Sequence, residues 1–130
     1  MIGLFALVMA QAAAPEAKAE PPSEEDVARE IVAINRTLDK WKGGIFKQDG
    51  KVTCRMQVSS GDEAVDILRC GAMVGCYTPH VDRLDAIAAS DATREEKQAE
   101  MQAVTDEVQP CVEQAHRQGV RRLAIVRASL

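Results

Sequence analysis

Four cysteines and two histidines are the side chains of this chain best suited to covalent or metal chemistry. The cysteines are Cys54, Cys70, Cys76 and Cys111, and four cysteines can pair in three ways. We predict the disulfides Cys54–Cys70 and Cys76–Cys111. Cys54 points inward from a predicted strand and Cys70 lies off the main seam of its helix, whereas Cys76 and Cys111 both lie on apolar seams where two helices could meet. Cys70 and Cys76 would face different ways on one helix, which disfavours a bond between them.

A metal site is the alternative use of the same residues. Cys76 and His80 are four residues apart, and Cys111 and His116 are five apart. Two thiolates and two imidazoles could hold Zn²⁺ in a tetrahedral site. The spacing is only loosely that of a zinc finger, and the thiols of an exported chain tend to oxidise first. We therefore prefer disulfides, predict no cofactor, and keep a metal-binding module as the second interpretation.

No pattern in the sequence selects a catalytic residue. Nucleophilic catalysis needs a nucleophile, a base and an orienting group, and neither histidine lies near a Gly-x-Ser-x-Gly turn or a Gly-rich phosphate loop. The carboxylates that could form a glycosidase-like pair are Asp62, Glu63, Asp66, Asp82 and Asp85. Because carboxylates on the predicted helices fall on solvated faces, we predict no catalytic residue. A small secreted hydrolase remains the third interpretation.

The start of the chain predicts the compartment. Ile2–Ala10 is an apolar run as long as the core of a signal peptide and too short to span a bilayer. Ala10-Gln11-Ala12 fits the cleavage rule, so residues 1–12 are predicted to be a signal peptide, although the start carries no Lys or Arg. Residues 13–22 are predicted to be a disordered linker. We expect a periplasmic or secreted protein with no transmembrane anchor after cleavage.

Hydrophobic spacing predicts the elements that must position these residues. Asp49-Gly50 is a strong hairpin-turn signal, and the alternation after it predicts a hairpin over Ile45–Val58. Residues 23–130 are therefore expected to form a single domain that is mainly α, with one β-hairpin and two disulfides. About four helices are predicted in it, over residues 23–41, 62–76, 80–89 and 94–118.

Glycine and proline predict where the helices end. Gly43-Gly44 should end the first helix. Pro110 should kink or break the fourth helix near Gln109, and Gly119 should end or bend it. Residues 120–130 favour a further helical segment over a short strand.

Each predicted helix carries one apolar face that should enter the core. The apolar seams over Val27–Trp41 and Met101–Ala115 are typical of an internal core. A weak homo-oligomer that pairs through these seams is the alternative. The seam of the fourth helix includes Cys111, and that of the third consists of Val81, Leu84 and Ala88.

Charge and composition limit the class of partner. The formal net charge is −4, with acids concentrated in residues 16–30 and arginines in residues 114–130. We interpret these segments as two solvated faces that could attract each other. An acidic chain with few stacking side chains is a poor nucleic-acid binder. We predict an exported, non-catalytic binding or interaction module of the cell envelope or periplasm, with an unknown protein or envelope partner.

Overall fold

The computed structural model describes residues 20–130, so the predicted signal peptide and residues 13–19 of the predicted linker lie outside the described residues. The described chain is mainly helical with one antiparallel hairpin and two disulfides, as predicted. Its helices and strands are α1 (Glu24–Thr37), β1 (Lys42–Gln48), β2 (Lys51–Val58), α2 (Glu63–Tyr77), α3 (Val81–Ala89) and α4 (Arg94–Ala128). Short 3₁₀ turns follow α1 at Leu38–Lys40 and α2 at Thr78–His80. No helix among residues 20–130 has the length and apolar character needed to cross a bilayer.

Helix α1 ends at Thr37, and the prediction that it continues to Gly43-Gly44 is wrong. The two glycines lie in β1 instead. A Cβ atom on Gly43 would lie 2.6 Å from the Trp41 ring and 2.9 Å from the carbonyl oxygen of Arg55. Glycine is therefore required at this position because the strand runs directly against the indole ring.

The hairpin is closed by Asp49 and Gly50, whose φ angles of 51° and 77° suit a type I′ turn. Its first strand begins at Lys42, earlier than predicted. A two-stranded sheet is marginal by itself. Here the hairpin packs on α2, and a disulfide joins Cys54 of β2 to Cys70 of α2 with 5.5 Å between their Cα atoms.

Helix α4 is one unbroken element of 35 residues, about 52 Å long at 1.5 Å per residue. Of the predicted kink or break near Gln109, the break is wrong, and of the predicted end or bend at Gly119, the end is wrong. The helical preference of residues 120–130 is confirmed through Ala128. Pro110 is exposed, so its ring lies outside the core. A Cβ on Gly119 would lie 2.8 Å from Leu68 Cγ, so glycine here allows α2 to approach α4 closely.

The core has two clusters, and α4 contributes to both. The first cluster comprises Val27, Ile34, Val65, Val120 and Ala124. The second cluster comprises Cys76, Ile87, Val104, Val108 and Val112. The sequence predicts that Cys111 lies in the apolar seam of α4, and this is wrong. Val112 is the buried residue, and Cys111 lies exposed beside it. From there it forms the second disulfide with the buried Cys76, with 5.8 Å between their Cα atoms.

The acidic and arginine-rich segments meet where α1 packs on α4. Arg121 Nη2 lies 3.1 Å from Glu24 Oε1, with both side chains largely exposed. An exposed ion pair contributes between about 0 and 1 kcal/mol. Burial of Val27, Ile34 and Val120 is therefore the stronger reason for this helix pairing.

The two neighbouring glycines of β1 provide a matched test of the contact with Trp41. We expect Gly43→Ala to lower the free energy of unfolding by about 1–3 kcal/mol, because the new methyl group overlaps the ring and the facing strand. Gly44→Ala meets no atom within 4 Å and should be neutral or slightly stabilising. Urea unfolding of both variants measures the difference, and equal midpoints would contradict this packing.

Candidate functional site

An apolar cleft of about 330 Å³ lies between the hairpin and helices α2, α3 and α4. One wall comes from the hairpin through Ile45, Phe46 and Val52. The helices supply the rest, with Tyr77, Val81, Leu84, Ala88, Met101 and Thr105. The lining is mostly hydrocarbon, which is typical of sites for apolar groups.

The cleft exists because α3 buries a different face from the one predicted. Ile87 is the α3 residue that enters the core, with 8 % of its surface exposed. Val81, Leu84 and Ala88 line the cleft instead, and of these Leu84 also packs against the second core cluster. The hairpin packs mainly on α2, so it does not close over this face of α3.

Two polar contacts accompany the apolar lining. Lys47 of β1 forms an ion pair with Asp85 of α3, and their side chains are 44 % and 45 % exposed. That exposure places the pair where the cleft opens to solvent. The Tyr77 hydroxyl lies 3.3 Å from the Thr105 hydroxyl and can donate to it. A bound molecule would thus meet hydrocarbon along its body and charged groups at one end.

The structure separates the four residues of the alternative metal site. Cys76 and Cys111 are bonded to each other, so neither is available as a thiolate ligand. His80 ends the 3₁₀ turn after α2, whereas His116 lies on α4 with its Nε2 atom 3.4 Å from Asn35 Oδ1. In the described part of the chain, no group of three or more His, Cys, Asp or Glu side chains is placed to hold a metal ion.

Three of the five candidate carboxylates form a helix cap, an ion pair or hydrogen bonds within the protein. Asp62 caps the N-terminus of α2, and Asp85 pairs with Lys47. Asp66 is 9 % exposed and accepts hydrogen bonds from the Ser59 hydroxyl and, at 2.8 Å, from the Ser60 backbone N–H. These bonds lower the pKa of Asp66, which therefore stays ionised. The remaining two, Glu63 and Asp82, are exposed.

Sequence reasoning missed the cleft, although one signal for it was present. The spacing identifies Val81, Leu84 and Ala88 as one apolar face of α3. Spacing alone cannot show whether a neighbouring element covers that face. The ion pair of Lys47 with Asp85 joins residues 38 positions apart, which no local pattern reveals.

Asp66 gives a prediction for pH dependence. Because its folded-state pKa is lowered, the carboxylate adds stability above its unfolded pKa of about 3.9, and this is lost as the pH falls through the lower folded value. We expect Asp66→Asn to lower the urea midpoint at pH 7, and its deficit against the wild type to shrink towards pH 2. Asp91→Asn, at an exposed loop position, is the control. A deficit that is constant from pH 7 to pH 2 would contradict this role.

Comparison with known proteins gives no relative to guide the choice of function. Neither the protein-family models, nor the curated proteins, nor the solved structures contain a match to this chain. The choice therefore depends on the chemistry of the cleft and on the contacts around it.

Proposed function

We propose that this protein is a small exported, non-catalytic binding module that accepts an apolar group in the cleft between its hairpin and α3. The observation that carries the proposal is the uncovered apolar face of α3, formed by Val81, Leu84 and Ala88 opposite Ile45 and Phe46. Water in contact with these side chains is released when an apolar group enters, and this release favours binding.

The size of the cleft limits its occupant. Ligand sites usually range from about 300 to 1,000 Å³, and 330 Å³ lies at the small end of that range. An aromatic group buries about 200 Å², which contributes about 5 kcal/mol at ~25 cal/mol per Å². Because association costs offset much of this gain, we expect a dissociation constant in the millimolar range or weaker for one such group.

The disulfides support the exported part of the proposal. Two disulfides in a domain of this size are typical of an oxidising compartment such as the periplasm or the extracellular space. The predicted signal peptide over residues 1–12 agrees with that compartment.

A second exposed apolar surface supports a protein or envelope partner. Met56, Val58 and Ile67 are 44 %, 43 % and 66 % exposed. Met56 shares a strand face with Cys54, whereas the register shift between Met56 and Val58 places Val58 on the other face. Ile67 lies about one turn before Cys70 on α2. Because Cys54 is bonded to Cys70, Met56 and Ile67 flank the same junction. Such a cluster is typical of interaction surfaces.

Blocking the cleft tests the proposal. We expect the neutral fluorescent probe N-phenyl-1-naphthylamine to bind the wild type with a stoichiometry near one. Ala88→Phe places a ring in the cleft and should weaken binding at least about tenfold, since it removes the apolar volume that the probe would occupy. Ala86→Phe, on the same helix but outside the cleft, is the matched control and should bind like the wild type. Equal binding by Ala88→Phe and the wild type would overturn the proposal.

A further inference from the structure

A second pocket, of about 320 Å³, shares no lining residue with the apolar cleft. Five side chains line it, each from a different part of the fold. They are Asn35 of α1, Leu38 of the following 3₁₀ turn, Trp41 just before β1, Arg69 of α2 and His116 of α4. Apart from Leu38, each carries at least one nitrogen able to donate a hydrogen bond. No carboxylate lines this pocket.

Two nitrogen atoms of this pocket's residues are buried without a hydrogen-bond partner. They are Trp41 Nε1 and His116 Nδ1. The other ring nitrogen of His116, Nε2, lies 3.4 Å from Asn35 Oδ1 and can donate to it. The neutral ring then carries its proton on Nε2, so Nδ1 becomes a donor only when the ring is protonated. A buried polar atom without a partner costs about 1–3 kcal/mol. A ligand that accepts hydrogen bonds would recover part of that cost.

The pocket is electropositive. The guanidinium of Arg69 lies 5.7 Å from the centre of the Trp41 ring, and within residues 20–130 it forms no salt bridge. Burial lowers the pKa of His116, and the positive charges of Arg69 on α2 and Arg117 on α4 lower it further. The neighbour from α1, Asn35, is uncharged. The pocket thus holds an unpaired cation and donors, but no acceptor of opposite charge.

We propose that this pocket binds a small organic carboxylate, with Arg69 as the cationic anchor, Trp41 as a hydrogen-bond donor, and His116 as a second donor in its imidazolium form. The planar guanidinium matches a carboxylate through two parallel hydrogen bonds. Leu38 and the indole ring provide an apolar wall for the carbon chain of the ligand. A single unpaired arginine matches a monoanion better than the larger charge of phosphate. This second site does not depend on the function proposed for the cleft.

The site is assembled from positions that the fold already fixes. Arg69 precedes Cys70, so the disulfide to Cys54 restrains its place on α2. Trp41 is held against Gly43 at the start of β1. A pocket whose donors are already restrained loses little conformational entropy when its ligand binds.

Titration with sodium butyrate tests the proposal, because Trp41 is the one tryptophan of the chain and gives a single indole N–H signal. At pH 7 and constant ionic strength, we expect butyrate to shift this NMR signal saturably, with a dissociation constant in the millimolar range. Saturating butyrate should also raise the pKa of His116, because the bound anion favours the imidazolium form. A shift that grows linearly without saturation, or one matched by sodium chloride, would overturn the proposal.

Arginine variants assign the anchor. Arg69→Gln should weaken butyrate binding at least about tenfold. Arg55→Gln is the matched control, since the Arg55 guanidinium lies 4.3 Å over the Phe46 ring on the hairpin and outside this pocket. Should Arg69→Gln fail to fold, the change in the pKa of His116 in the wild type still decides the question. Unchanged binding in Arg69→Gln, or tighter binding of inorganic phosphate than of butyrate, would overturn the assignment.

Discussion

The burial of one apolar face along α4 is the interaction on which the rest of the structure depends. Val104, Val108 and Val112 are at most 4 % exposed, and Val120 and Ala124 continue the face into the other cluster. A proline inside a helix costs about 3 kcal/mol. Burying one valine contributes roughly 1.5–3 kcal/mol, so the three valines around Pro110 outweigh that cost. The helix therefore stays continuous, and both clusters pack on this one element.

Helix α2 connects the hairpin to α4. It is bonded to β2 through Cys70 and to α4 through Cys76, so two covalent links fix it between the sheet and the long helix. The exposed residues of β2, including Met56 and Val58, show that the hairpin is not held by a large apolar interface. Because it is attached at α2, the hairpin leaves the face of α3 uncovered. The cleft is therefore a consequence of where the sheet is anchored.

Local patterns in the sequence predict the helices and the Asp49-Gly50 hairpin, because each depends on neighbouring residues. The two disulfides follow from the helix and strand faces on which those patterns place the cysteines. The errors occur where a tertiary contact decides. Gly43 does not end α1 but lies in β1, where Trp41 packs against it. A strict seven-residue spacing selects Cys111, whereas a straight helix with 3.6 residues per turn brings Val112 to the core.

Neither binding region could be predicted, since each joins residues from distant parts of the chain. Asn35 and His116, for example, are 81 positions apart. Spacing within one helix gives the chemical character of such side chains. It does not give the neighbours that turn them into a pocket.

The order in which the cysteines pair also bears on how the chain acquires its covalent structure. The first cysteine is bonded to the second and the third to the fourth, across separations of 16 and 35 residues. If the cysteines are exposed to an oxidant in order from the N-terminus, each one meets its native partner before the next competing thiol. Cys54 and Cys70 could close before Cys76 arrives, and Cys76 would then wait for Cys111. Oxidation in the order of the chain would thus favour the native connectivity.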